Sequence, residues 1–149
     1  MAVARGDRRD ARYDMSIGSL YAGISLANAG VGAVHALAYP LGGQFNVPHG
    51  IANGILLPHV MEFNVPGDIA KFAEVAGLLG ERVESLSPVE AVKNLLRDVD
   101  MPTTLTELNI PRSAIPEMAA ASINVTRLMG NNPRRMTAKD SEKVYEKAF

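Results

Sequence analysis

Apolar residues recur along this chain at spacings of three and four, and the alternation of a half-buried strand is nearly absent. Ile51, Ile55, Leu56, Val60 and Phe63 trace one face of a predicted helix over 48–64, with Pro48 at its first position and a kink at Pro58. Ile69, Phe72, Val75, Ala76 and Leu79 predict a core-facing helix over 69–79. An earlier helix over 7–29 begins charged and turns apolar at Met15, Leu20, Ile24 and Leu26, so its end is expected to be buried. Gly18 and Gly23 on it would permit close helix approach, and Gly30 and Gly32 punctuate its end.

Other helices are predicted from their punctuation. Ser87-Pro88-Val89-Glu90 and Thr137 to Asp140 read as capping boxes, opening helices to about 99 and 148. Met101-Pro102 stops the first of these. Residues 105–109 read as a short turn, and Ser113 as the cap of a helix over 114–129. A short helix over 33–38 carries His35 and is expected to stop at Tyr39-Pro40 and Leu41-Gly42-Gly43, because proline disfavours a helical residue before it. Six to eight helices and no sheet make an all-α bundle.

Composition narrows the function classes. With 149 residues, 47% of them hydrophobic, the chain can form one domain with a core. A net charge of −1 gives no electrostatic case for nucleic acid or an anionic membrane surface. No apolar run approaches the ~18–20 residues of a membrane span. Cysteine is absent, which removes disulfides and thiolate sites. The expectation is a soluble, cytoplasmic chain with no membrane or nucleic-acid partner.

Chemistry concentrates at His35 and His49, two of the three histidines, separated by a Pro/Gly-rich break. The positive end of a helix beginning at Pro48 favours the neutral imidazole that binds metal. Two such side chains flanking a turn can converge on one ion, although two nitrogens fill only half of a four-coordinate site. By spacing alone such a pair is more often structural than metallic. Asn53, four residues after His49, can orient its ring or simply sit on an exposed helix face. Gly30-Val31-Gly32 resembles the start of a dinucleotide fingerprint but lacks the third glycine and a preceding strand. His59 reads as structural.

The longer string from Gly23 through Asn28, Gly30, Gly32, His35, Tyr39-Pro40, Gly42-Gly43, Pro48-His49-Gly50 and Asn53 to Pro58-His59 resembles the iron-containing (group III) alcohol dehydrogenase family. The resemblance extends to Ala11-Arg12 and to Asn131-Asn132-Pro133-Arg134, spanning nearly the whole chain. It implies the C-terminal all-α metal-binding domain of the dehydroquinate synthase-like fold over 1–149, without the N-terminal α/β nucleotide-binding domain. It implies His35 and His49 as ligands of Fe(2+) or Zn(2+), and NAD(P) as cofactor of the full-length architecture. The family completes its site with an aspartate and a histidine four residues later, and residues 1–34 hold no such pair. At Tyr39 many relatives carry a histidine proton relay; a phenol is a poorer relay but can donate a hydrogen bond, or its ring can simply pack. At Leu26 several relatives carry a phenylalanine of the substrate pocket, so leucine leaves a smaller wall there or acts as a plain core residue.

The expected function is therefore metal-assisted hydride transfer between NAD(P) and a small primary alcohol or aldehyde, by an enzyme of which this chain is a truncated part, inactive alone. The alternative is a non-catalytic helical assembly module or weak metal-binding module. Either way the first helix is expected to drive homo-oligomer formation, as a dimer or a domain-swapped pair.

Overall fold

A computed structural model describes residues 2–79 and 87–149. Among the described residues there are eight α-helices and no strand, as the spacing predicts. The chain divides into two compact units, the first ending at Val31 and the second spanning Gly32–Phe149. No single helix among the described residues is long and apolar enough to cross a membrane.

The first unit is built on α1 (Arg9–Ala29). Its C-terminus is closed by Gly30 at φ 72°, whose N–H donates to the Leu26 carbonyl; a side chain at that φ would be strained. The expected burial does not occur. α1 buries none of its residues, and Met15, Leu20, Ile24 and Leu26 are exposed together with Tyr13 and Tyr21. Gly18 and Gly23 likewise face open space. Helical spacing shows which residues share a face, but burial needs a partner surface, and α1 has none within its own unit.

The second unit comprises α2 (Ala33–Phe45), α3 (His49–Asn64), α4 (Ile69–Leu78), α5 (Pro88–Asp98), α6 (Ile115–Ile123), α7 (Thr126–Met129) and α8 (Ala138–Lys147). Its main core joins Leu37 and Leu41 of α2, Ile55 and Leu56 of α3, Met118 of α6 and Tyr145 of α8. A smaller cluster of Met61, Val89 and Val92 joins α3 to α5, with Phe72 and Val75 of α4 against it. On α4 only Ala76 is buried; Ile69 and Leu79 of its expected core face are exposed.

The largest departure from expectation is α2. It does not stop at Tyr39-Pro40 but runs through Pro40, Gly42 and Gly43 to Phe45. Proline in a helix interior costs about 3 kcal/mol, chiefly through a lost backbone bond and a displaced carbonyl. Here Ala33, Ala36, Leu37, Ala38, Pro40 and Leu41 are all buried, so packing offsets that cost. The Tyr145 hydroxyl donates to the Leu37 carbonyl at 2.7 Å, tying this helix to α8. The helix ends instead at Asn46, left-handed at φ 54°, whose N–H reaches the Gly42 carbonyl.

Smaller shifts follow from capping chemistry. Pro48 is the residue before α3 rather than its first, which makes His49 the first helical residue. Pro58 sits within α3 without ending it. Ser87 accepts from the Glu90 N–H as expected, while Thr137 and Asp140 make both bonds of a capping box. Ser113 caps nothing: it lies in a 3-10 turn, Arg112–Ala114, and the expected single helix is divided into α6 and α7 at Asn124-Val125.

Candidate metal centre

The second unit brings His35 and His49 together. His35 is the third residue of α2 and His49 the first of α3. His35 Nδ1 lies 3.1 Å from His49 Nε2, and the ring centroids are 5.0 Å apart with a 44° tilt. Two nitrogens bound to one ion at about 2.1 Å, with an angle between 90° and tetrahedral, stand about 3.0–3.4 Å apart. The observed separation fits that range, and it also suits a shared proton in the metal-free pair.

Asn53, one turn after His49, fixes its ring. Its Nδ2 donates to the His49 carbonyl at 2.8 Å and lies 3.1 Å from His49 Nε2. His49 Nε2 is thus 3.1 Å from both Asn53 Nδ2 and His35 Nδ1, and when unprotonated its single lone pair serves one of them, or an ion, at a time. Asn53 Oδ1 is buried with no hydrogen-bond partner, a free acceptor beside the two imidazoles. The donor chemistry thus fits a divalent transition ion, and the donor number is incomplete. Among the described residues no group of three or more His, Cys, Asp and Glu side chains converges.

Burial lowers the His35 pKa, and the neighbouring His49 lowers it further. Both effects favour the neutral, ligating form. His59 stands apart, half-buried: its pKa is lowered by burial and by Lys93, raised by Glu62 and lowered by Lys147 to a net fall. Unfolded histidine titrates near 6.5, so below about that pH the unfolded chain gains protons that the folded chain resists. Stability is fully present above that value and is lost as pH falls toward the lowered folded values. The urea midpoint is expected to drop between about pH 7.5 and 5.5, and His59→Gln to remove part of that drop. An identical pH profile in the variant would contradict this.

The remaining sequence candidates are placed differently. Tyr39 follows His35 by one turn on α2, which the unbroken helix makes a true neighbour spacing, and its ring is 48% exposed. Leu26 lies on α1 in the first unit and is 54% exposed, so it is not a core leucine. Tyr145 and Asn132, neither singled out by sequence pattern, reach the helix that carries His35 from 108 and 99 residues away. The only sequence signal for either is that Asn132 falls within the Asn131-Asn132-Pro133-Arg134 stretch.

The sequence profile of the Fe-containing alcohol dehydrogenase family, C-terminal, matches residues 1–149. The chain belongs to this family. It is 39% identical to long-chain-alcohol dehydrogenase 1 of Geobacillus thermodenitrificans over 155 residues, covering 99% of this chain and 39% of that enzyme. It is also 39% identical to lactaldehyde reductase of Escherichia coli K12, covering 97% of this chain and 39% of that enzyme. The crystal structure of a 1,3-propanediol oxidoreductase superposes with a TM-score of 0.91 at 35% identity, over 99% of this chain and 40% of that one. The chain thus spans about two fifths of the length of these iron-containing alcohol dehydrogenase relatives.

Proposed function

We propose that this chain supplies the metal-holding helical part of an NAD(P)-linked alcohol dehydrogenase that oxidises primary alcohols or reduces aldehydes. The observation that carries this reading is the 3.1 Å approach of His35 and His49, with Asn53 aligning the second ring. The chemistry of the relatives, a long-chain-alcohol dehydrogenase and a lactaldehyde reductase, supports the substrate class. In this reading His35 and His49 hold two positions of an Fe(2+) or Zn(2+) ion. When bound, such an ion supplies Lewis acidity to the substrate oxygen. Asn53 holds the backbone turn that carries His49, and Tyr39 offers a phenolic hydrogen bond to an alcohol one turn from His35. The other ligands and the nucleotide site come from polypeptide outside these 149 residues, so the chain alone does not catalyse.

A chimera tests this. The matching 39% of the Geobacillus enzyme would be replaced by this chain and assayed for NAD(P)-linked alcohol oxidation. Activity is expected, and loss of either histidine should lower it by well over the ~10–100-fold typical of an outer-shell change. An active chimera indifferent to His35→Ala and His49→Ala would refute the assignment.

One observation favours a second reading, a self-associating helical module. α1 exposes Tyr13, Met15, Leu20, Tyr21, Ile24 and Leu26, a solvent-facing apolar surface on a helix that buries nothing. Light scattering of the isolated chain is expected to show a dimer or larger species, and Leu20→Lys with Ile24→Lys to shift it toward monomer. A monomer at high concentration would exclude this reading.

A further inference from the structure

The geometry points to Asn132 as a positioning residue that caps α2 in trans and thereby holds His35 against His49. Most helices with a side-chain cap take it from the residue just before their first turn. α2 cannot, because that residue is Gly32, and no side-chain cap bond is made there. The Ala33 N–H is satisfied instead by Asn132 Oδ1, at 3.3 Å and 99 residues away. His35 lies two residues further along in the same first turn, its own N–H donating to the Gly32 carbonyl. Fixing Ala33 therefore fixes the rotation of α2 at the point where His35 leaves it.

Asn132 also holds the far end of α3. Its Oδ1 accepts from Asn64 Nδ2 at 2.9 Å, and its Nδ2 donates to Asn64 Oδ1 at 2.8 Å and to the Arg134 carbonyl at 2.7 Å. Asn64, the last residue of α3, is buried, so this reciprocal amide pair is shielded from water. The two helices carrying the histidines are thus joined covalently through residues 46–48 and latched through Asn132. Arg134 reinforces the latch by donating to the Phe63 carbonyl while its guanidinium lies 4.4 Å from the Phe63 ring centroid. Gly32 belongs to the same device: a Cβ there would stand 3.3 Å from Asn132 Oδ1, so the cap would have to shift by a few tenths of an ångström.

The consequence for metal holding rests on the function proposed above; the positioning itself does not. Both are read separately in the metal-free 149-residue chain, by the ring-to-ring nuclear Overhauser effect between His35 and His49 and by zinc titration. Asn132→Ala is expected to abolish the ring contact and weaken zinc binding by about 10–100-fold, the range for outer-shell partners. Asn132→Asp keeps the acceptor for the Ala33 N–H but loses both bonds that Nδ2 donates, so it should recover the ring contact and zinc affinity only in part. Gly32→Ala, a milder change at a negative φ, should weaken the ring contact in the intact fold and keeps the test valid if Asn132→Ala does not fold. Thr137→Ala removes the α8 cap and lowers stability, yet should leave the ring contact and zinc affinity unchanged. If wild type shows the ring contact without zinc binding, the metal reading fails, and loss of the contact in Asn132→Ala still supports the positioning role. An unchanged ring contact in folded Asn132→Ala, or in Gly32→Ala should Asn132→Ala not fold, overturns it.

Discussion

Tyr145→Ala is expected to destabilise the second unit by about 3–5 kcal/mol, the range for truncating a buried aromatic side chain. Tyr145 is fully buried at the centre of the main core and touches the packing of α2, α3 and α6. Its phenol is held well above its ordinary pKa by burial, and Ser122 opposes that shift only in part. The hydroxyl therefore stays protonated and donates to the Leu37 carbonyl. Tyr145→Phe separates the two contributions: it keeps the ring and should cost about 0.5–1.5 kcal/mol for the lost hydrogen bond. Because whole domains are stable by only about 5–15 kcal/mol, the alanine variant should lose a large share of its stability. Urea denaturation measures both. A phenylalanine variant as stable as wild type would mean that the hydroxyl contributes nothing and the ring carries the whole effect.

That contrast also marks where the sequence was legible. The apolar face of α3 was readable because Ile55, Leu56 and Val60 are buried by the same helical period that spaces them. The α8 capping box was readable because both of its bonds are local. The run of α2 through Pro40, Gly42 and Gly43 was not, since what offsets the breakers is burial against distant parts of the chain. The division between α6 and α7 was hidden for a related reason, as no proline or glycine marks Asn124-Val125. On α1 the apolar positions were visible, but their exposure depends on partner surface and not on period.

The site shows the same division. His35 and His49 could be paired from their spacing and from the resemblance of the surrounding string, and Asn53 from its position one turn after His49. Sequence could not supply the nitrogen separation, because it depends on the continuous α2 and on how α3 begins. Nor could it supply the Ala33–Asn132–Asn64 connection, whose members are 68 and 99 positions apart. Asparagines in a turn-rich stretch ordinarily satisfy their own backbone. Here one of them serves two helices instead.

Titration of the chelator-stripped chain with Zn(II), and with Fe(II) under anaerobic conditions, tests the central claim most directly. The claim is that two imidazoles, 3.1 Å apart, are aimed at one ion. Water must complete the coordination shell in the isolated chain, so binding should be one-to-one but weaker than in a closed four-ligand site. His35→Ala and His49→Ala each remove a direct ligand, and each should weaken binding by more than the ~10–100-fold effect of an outer-shell change. Their double variant should add little to either, because one remaining imidazole is already an open, water-exposed ligand. Tyr39→Phe, which removes no nitrogen, should leave the affinity unchanged. One-to-one binding lost in both histidine variants is the result this account predicts. Absence of binding, or binding indifferent to both substitutions, would contradict it.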